Sequence, residues 1–257
     1  MRNISPNLFP FAAQITSVRH SYVIIQNKLS IFNSQFLILS MLNYLFTNPL
    51  YFFLWVAALL AAITVHEFAH AWTSDRLGDP TARLAGRVTL NPLAHLDPLG
   101  TLMLLFFRFG WGKPVPFDPF NLRHPRRDTA LISFAGPAAD FILAFILSLI
   151  IRFVNLIFNP QIASFLEIIL TPFITLALIL ALFNLIPIHP LDGGKVLIGL
   201  LPERLAYKWD EFLNQFGFFI IIFLLMPFFG GSSLVSLLIS PLVNFFLYLL
   251  LPGTPLI

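Results

Sequence analysis

Residues 57–72 read AALLAAITVHEFAHAW and place three polar side chains, His66, Glu67 and His70, inside an apolar stretch. Positions i and i+4 of an α-helix lie one turn apart on the same face, so both histidines can direct a ring nitrogen at one point. Glu67 projects beside that point and can reach a water molecule held there. This spacing is the HExxH pattern, in which two histidines bind zinc and a glutamate is the general base. Three unrelated polar residues on a buried face are the alternative interpretation.

The composition identifies the class of protein. The chain has 257 residues, of which 58% are hydrophobic and 11% charged, and its mean hydropathy is +0.85. These values are too apolar for a soluble domain and predict a polytopic membrane protein. The net charge of +3 comes from cations beside apolar spans, where they orient a chain in the membrane, so we expect no nucleic-acid partner. Because the chain has no cysteine, any metal must be held by histidines and carboxylates.

The pattern of apolar segments predicts an all-α polytopic membrane protein with about five to six transmembrane helices. Clear spans are expected at about 50–73, 129–154 and 162–186, with one or two more between 213 and 251 and a short one over 36–48. Between the first two clear spans, the alternation over 84–90 suits a short β-strand or hairpin. The apolar run 99–107 is about half a bilayer crossing long, which favours a re-entrant element. Either element could hold an extended substrate by edge pairing or could be a simple connection.

The cations indicate an orientation for this topology. Eight of the 15 cations lie between residues 75 and 128, and three more lie between 192 and 212. All of them share one membrane face if the run 99–107 does not cross, and the opposite connection at 155–161 has none. The positive-inside rule then makes the cation-rich face cytoplasmic.

A second polar motif, FNLIPIHPLDGGK, occupies residues 183–195. Pro187 and Pro190 prevent the preceding helix from continuing, and the two glycines that follow Asp192 allow a tight backbone path. Asp192 is therefore presented from a broken helix at membrane depth, where a carboxylate needs a cation or several donors. An N-cap for a helix over 193–201 is the alternative role, but two histidines that need a third ligand favour coordination. Two histidines and one carboxylate leave a fourth position for water, as in catalytic zinc sites.

Taken together, these segments resemble the site-2 protease family of intramembrane zinc metallopeptidases, in its compact bacterial-type branch without a PDZ or CBS domain. The resemblance covers about residues 42–251 and is carried by five motifs. They are HEFAH at 66–70, GRVTLNPLAHLDPLGT at 86–101, GWGKPVP at 110–116, FAGPAAD at 134–140 and NLIPIHPLDGG at 184–194. The sequence departs from the family pattern at His189, where proline or an apolar residue is expected, and at Asp140, where asparagine is usual.

The resemblance implies one Zn²⁺ ion held by His66, His70 and Asp192, with Glu67 as the general base and Asn184 near the substrate or the oxyanion. The implied function is hydrolysis of peptide bonds in membrane-spanning protein substrates, as in regulated intramembrane proteolysis. The lipid bilayer is then the second partner. The implied location is a bacterial cell membrane, crossed several times, with the active site toward the cytoplasm.

Other polar residues receive weaker assignments. His189 is a candidate partner of Asp192, whereas His95 and Asp97 are expected to make structural hydrogen bonds. We expect a membrane-embedded metallopeptidase domain over 42–251, a tail with a short first span over 1–41, and a C-terminal tail over 252–257.

Two other classes of function remain open on the residues alone, a membrane metal transporter and a non-catalytic membrane scaffold. A transporter would repeat polar ligands along several helices. Here the ligands converge at one depth, and Glu67 is left free for proton transfer. Assembly into a homo-oligomer is left open.

Overall fold

The computed structural model describes residues 45–100, 112–157, 160–229 and 232–251. The described chain is mostly α-helical. Its helices in chain order are α1 (Pro49–Arg76), α2 (Thr81–Leu84), α3 (Pro125–Ile157), α4 (Pro160–Asn184), α5 (Asp192–Leu200), α6 (Glu203–Leu225) and α7 (Leu234–Leu250). Single 3₁₀ turns form at Pro92–Ala94 and Pro119–Asn121, and the short strands β1 (Pro227–Phe229) and β2 (Ser232–Ser233) pair antiparallel.

Three of these helices, α1, α3 and α4, are long and apolar enough to cross a membrane. They coincide with the spans predicted at about 50–73, 129–154 and 162–186. The apolar helix α7 has 17 residues and is shorter than a typical span. The total of five to six spans therefore stays a prediction, and most of the expected short span at 36–48 lies outside the described residues.

Helix α3 is the centre of the packing, because it contacts α1, α4 and α5. An apolar core forms where α3, α4 and α7 meet, and its fully buried members include Ile151, Ile174, Leu178 and Val235. The N-terminus of α1 is capped by the side chain of Asn48, which accepts a hydrogen bond from the Tyr51 backbone. These contacts place the HExxH half of α1 against α3 and beside the start of α5.

The strand predicted over residues 84–90 is wrong. Residues 81–84 form helix α2, and Gly86, with φ of +70°, continues the chain in a turn. The alternating pattern of this segment suggested a strand, but Leu84 and Leu90 are 81% and 61% exposed. The segment therefore buries no apolar face of the kind that stabilises a strand in a sheet.

The predicted re-entrant run 99–107 lies mostly outside the described residues, since 101–111 are not described. The two ends of that segment do meet. Leu96 and Gly112 form an isolated antiparallel bridge, and the Lys113 backbone N–H donates to the His95 carbonyl at 2.8 Å.

The end of α1 is joined to the segment after the bridge by one carboxylate, Asp79, which is fully buried. It accepts five hydrogen bonds, from the Ser74 hydroxyl, the Thr81 backbone and hydroxyl, the Asp118 backbone and the Asn121 side chain, at 2.5–3.1 Å. Burial favours the neutral acid, but these donors outweigh it and lower the pKa of Asp79 to about 2. We call this arrangement the Asp79 clamp.

Candidate metal centre

Three side chains from two helices converge beside α3. His66 and His70 lie one turn apart on α1, and Asp192 is the first residue of α5. The Nε2 atoms of His66 and His70 lie 3.1 Å and 3.2 Å from Asp192 Oδ2. Ligand atoms of a tetrahedral zinc ion, each about 2.0–2.1 Å from the metal, are separated by about 3.3 Å. The spacing of these three atoms therefore fits one zinc ion.

The remaining ring nitrogen of each histidine is held by α3. His70 Nδ1 lies 2.7 Å from the Ile132 carbonyl oxygen, and His66 Nδ1 lies 2.7 Å from Asp140 Oδ2. A carbonyl oxygen can only accept, so Nδ1 of His70 carries a proton, and in the neutral imidazole, the form that binds a metal, Nε2 then has the free lone pair. Both rings thus turn the nitrogen available for a metal toward Asp192.

Gly136 of α3 leaves the space that an ion would need. A Cβ at this position would lie 2.5 Å from His70 Nε2 and 2.7 Å from His66 Nε2, which is closer than real contacts allow. The nitrogen and oxygen donors and this gap fit a zinc ion.

The three residues and Glu67 line one cavity of about 450 Å³. Its other walls are mostly apolar and come from α1, from residues 112–117, from the turn before Asp192 and from parts of α3, α4 and α6. Gly112 passes over Glu67, because a Cβ there would lie 3.4 Å from Glu67 Oε1. An apolar cavity with a few convergent polar groups is typical of a binding site.

Two cationic side chains contact residues 112–117, which form one wall of the cavity. The buried Arg87 donates through Nη2 to the Lys113 carbonyl. Burial lowers the pKa of Arg87, and the negative charge of Glu67 opposes this shift. Across the cavity, Lys195 Nζ lies 4.9 Å from the centroid of the Phe117 ring.

The turn that carries Asp192 is packed with no room for added side chains. A Cβ at Gly193 would lie 2.4 Å from the Ile186 carbonyl oxygen, and one at Gly194 would lie 2.6 Å from His189 Nδ1. A Cβ at Gly217 of α6 would lie 2.3 Å from the His189 carbonyl oxygen. Backbone therefore packs directly on backbone behind Asp192.

The other candidate residues have different surroundings. Asn184 ends α4, lines the cavity and donates through Nδ2 to the Leu180 carbonyl at 3.0 Å. His189 Nε2 lies 3.0 Å from Asp210 Oδ1 of α6, so the structure places it against Asp210, while Asp192 turns toward α1.

His95 and Asp97 make structural hydrogen bonds and lie outside the group of three. His95 Nε2 lies 2.8 Å from the Thr89 carbonyl oxygen, and Asp97 accepts from the Gly100 backbone at 2.7 Å.

Sequence reasoning assigned no role to Asp140, Gly136 or Arg87. Asp140 did carry a signal, since it is a carboxylate within an apolar span and departs from the usual asparagine. Nothing in the sequence shows that Gly136 faces the histidines or that Arg87 binds the Lys113 carbonyl.

Comparison with known proteins identifies the family. The family model described as peptidase family M50 matches residues 54–226, which include both polar motifs. A protein of Bacillus subtilis named a zinc metalloprotease, YwhC, is 35% identical over 192 residues, covering 74% of this chain and 85% of that protein. Rip2 of Mycolicibacterium smegmatis, also named a zinc metalloprotease, is 33% identical over 183 residues, covering 68% of this chain and 67% of that protein. No solved structure matches the chain. The chain belongs to peptidase family M50, the site-2 protease family of intramembrane zinc metalloproteases.

Proposed function

We propose that His66, His70 and Asp192 hold one zinc ion and that Glu67 is the general base with which this protease hydrolyses peptide bonds of membrane-spanning proteins. The observation that carries this proposal is the convergence of both Nε2 atoms on Asp192 Oδ2, beside the point where a Cβ at Gly136 would meet the two nitrogens. The family membership supplies the class of reaction.

The roles follow from the positions of the side chains. Zinc at this point would activate a water molecule and polarise the peptide carbonyl. Glu67 follows His66 on α1 and lines the same cavity, so it is placed to take the proton of the attacking water and return it to the leaving amine. The apolar walls limit competing water, which strengthens these electrostatic interactions.

A substrate segment must leave its helical conformation before its peptide carbonyl can be attacked, because the hydrogen bonds of a helix shield the backbone. We propose that the unwound segment lies along residues 112–117, which form no helix and line the cavity. Pro114 and Pro116 have no N–H, so this segment would pair mainly through its carbonyl oxygens. Asn184 lines the same cavity and would contact the substrate or the oxyanion.

We also propose that the metal centre opens toward the cytoplasm and that residues 42–251 form the metallopeptidase domain. The distribution of cations supports this orientation.

Substitution of Glu67→Gln tests the function. The amide cannot accept the proton, so proteolysis is expected to fall by about 10²–10⁴-fold while zinc binding is retained. Quantitative proteomics of membrane fragments from cells with wild type or the variant measures the loss and identifies substrates. Glu211→Gln on α6, outside the cavity lining, is the matched control.

Unchanged fragments with Glu67→Gln would contradict the catalytic role of Glu67. In that case transport or a scaffold function would account better for the polar residues.

A further inference from the structure

Asp140 is a fully buried carboxylate on α3, in the middle of an apolar span. Its Oδ2 atom lies 2.7 Å from His66 Nδ1. Its Oδ1 atom has no hydrogen-bond partner, which leaves His66 as the side chain that stabilises Asp140 within the described part of the chain. Burying a carboxylate with so few partners is costly, so a contribution to folding does not explain its position.

The surroundings of the two histidines show what Asp140 supplies. His70 Nδ1 is held by a backbone oxygen, that of Ile132, at the same distance of 2.7 Å. Ile132, Gly136 and Asp140 are four residues apart and therefore lie along one face of α3. On this face, the Ile132 carbonyl accepts from His70, Gly136 lies next to both rings, and the Asp140 carboxylate accepts from His66. Without Asp140, His66 would have no counterpart to the Ile132 carbonyl.

We propose that Asp140 is a positioning residue that accepts the Nδ1 proton of His66 and so fixes the ring with Nε2 toward the metal. This inference rests on the proposed zinc site. The required property is a hydrogen-bond acceptor at this position, because only an acceptor fixes both the tautomer and the rotation of the imidazole. An asparagine offers an amide oxygen at the same place, whereas leucine of similar volume offers none.

Zinc affinity of the purified full-length protein, measured by competition with a chromophoric chelator, tests the proposal without reference to proteolysis. Asp140→Leu is expected to weaken zinc binding by about 10–100-fold, and Asp140→Asn is expected to stay close to wild type. Ser148→Ala is the matched control, since Ser148 is also buried on α3 but donates to the Leu250 carbonyl. Its zinc affinity should equal that of wild type.

Thermal unfolding of the metal-free variants shows whether they fold, and Asp140→Ala replaces the leucine variant if that one does not. Wild-type affinity in a variant without an acceptor would overturn the proposal. An equal loss with asparagine would overturn it as well, because an acceptor would then not be sufficient. Absence of zinc binding by the wild-type protein is a separate outcome, which would remove the zinc site together with this inference.

Discussion

Gly136 is the residue that keeps open the space between His66 Nε2 and His70 Nε2. An alanine there would place its Cβ 2.5–2.7 Å from both nitrogens, where the ion is proposed to lie. Gly136→Ala is therefore expected to weaken zinc binding by more than about 10-fold, and chelator competition measures this loss.

The unfolding temperature of the metal-free Gly136→Ala protein separates this effect from a general loss of structure. Alanine favours a helix interior by about 0.5–1 kcal/mol over glycine, so α3 itself should not be weakened by its backbone preference. Zinc binding equal to wild type would show that the ion does not lie against Gly136.

At the scale of elements, the Asp79 clamp joins the end of α1, the helix that carries His66, Glu67 and His70, to a wall of the cavity. Asp79 follows α1 by three residues and accepts hydrogen bonds from Asp118 and Asn121, which lie one and four residues after the wall formed by residues 112–117. The distance between Glu67 on α1 and this wall thus depends on a carboxylate that contacts neither Glu67 nor the proposed metal ligands.

The clamp predicts a dependence of stability on pH. The pKa of Asp79 is about 2 in the folded protein and 3.8 ordinarily, so folding favours the ionised form. Its contribution to the free energy of unfolding is complete above about pH 4 and is lost as the pH falls toward 2. Asp79→Asn should lower the unfolding temperature near neutral pH and reduce its variation within this window.

Tryptophan fluorescence of the detergent-solubilised protein, which has four tryptophans, can follow this unfolding between pH 2 and 7. Asp118→Asn is the control for loss of a carboxylate, because the Asp118 side chain caps a 3₁₀ turn while its backbone still donates to Asp79. The same pH dependence in Asp79→Asn and wild type would argue against the clamp.

At the scale of the whole molecule, the proposed orientation in the membrane rests on three helices that are long and apolar enough to span it and on the cations between them. In this orientation, helix α1 ends before the cation-rich segment 77–124, α3 would cross away from that face and α4 would return to it. After Lys113, a reporter that is active only in the cytoplasm is therefore expected to give a signal. Within 155–161, a reporter that is active only outside the cell is expected to give one. The opposite pair of signals would reverse the proposed orientation.

Features that depend on residues close together in the sequence could be predicted from the sequence alone. The i, i+4 spacing fixed His66 and His70 on one helix face, and the prolines before Asp192 indicated the broken helix that presents it. Contacts between distant segments could not be read in this way. The pairing of Asp140 with His66 joins residues 74 positions apart, and the exposure of Leu84 and Leu90, which made the strand prediction fail, depends on the whole fold.

The close packing behind Asp192 has a consequence for how this enzyme can adapt. Gly193, Gly194 and Gly217 each lie against backbone or His189 with no space for a methyl group, so this side of the cavity accepts almost no sequence change. Val115 and Phe117 face the same cavity with their side chains and lie outside this closely packed turn. New substrate preferences are therefore expected to arise by mutation on the side of residues 112–117, while the side that carries Asp192 stays constant.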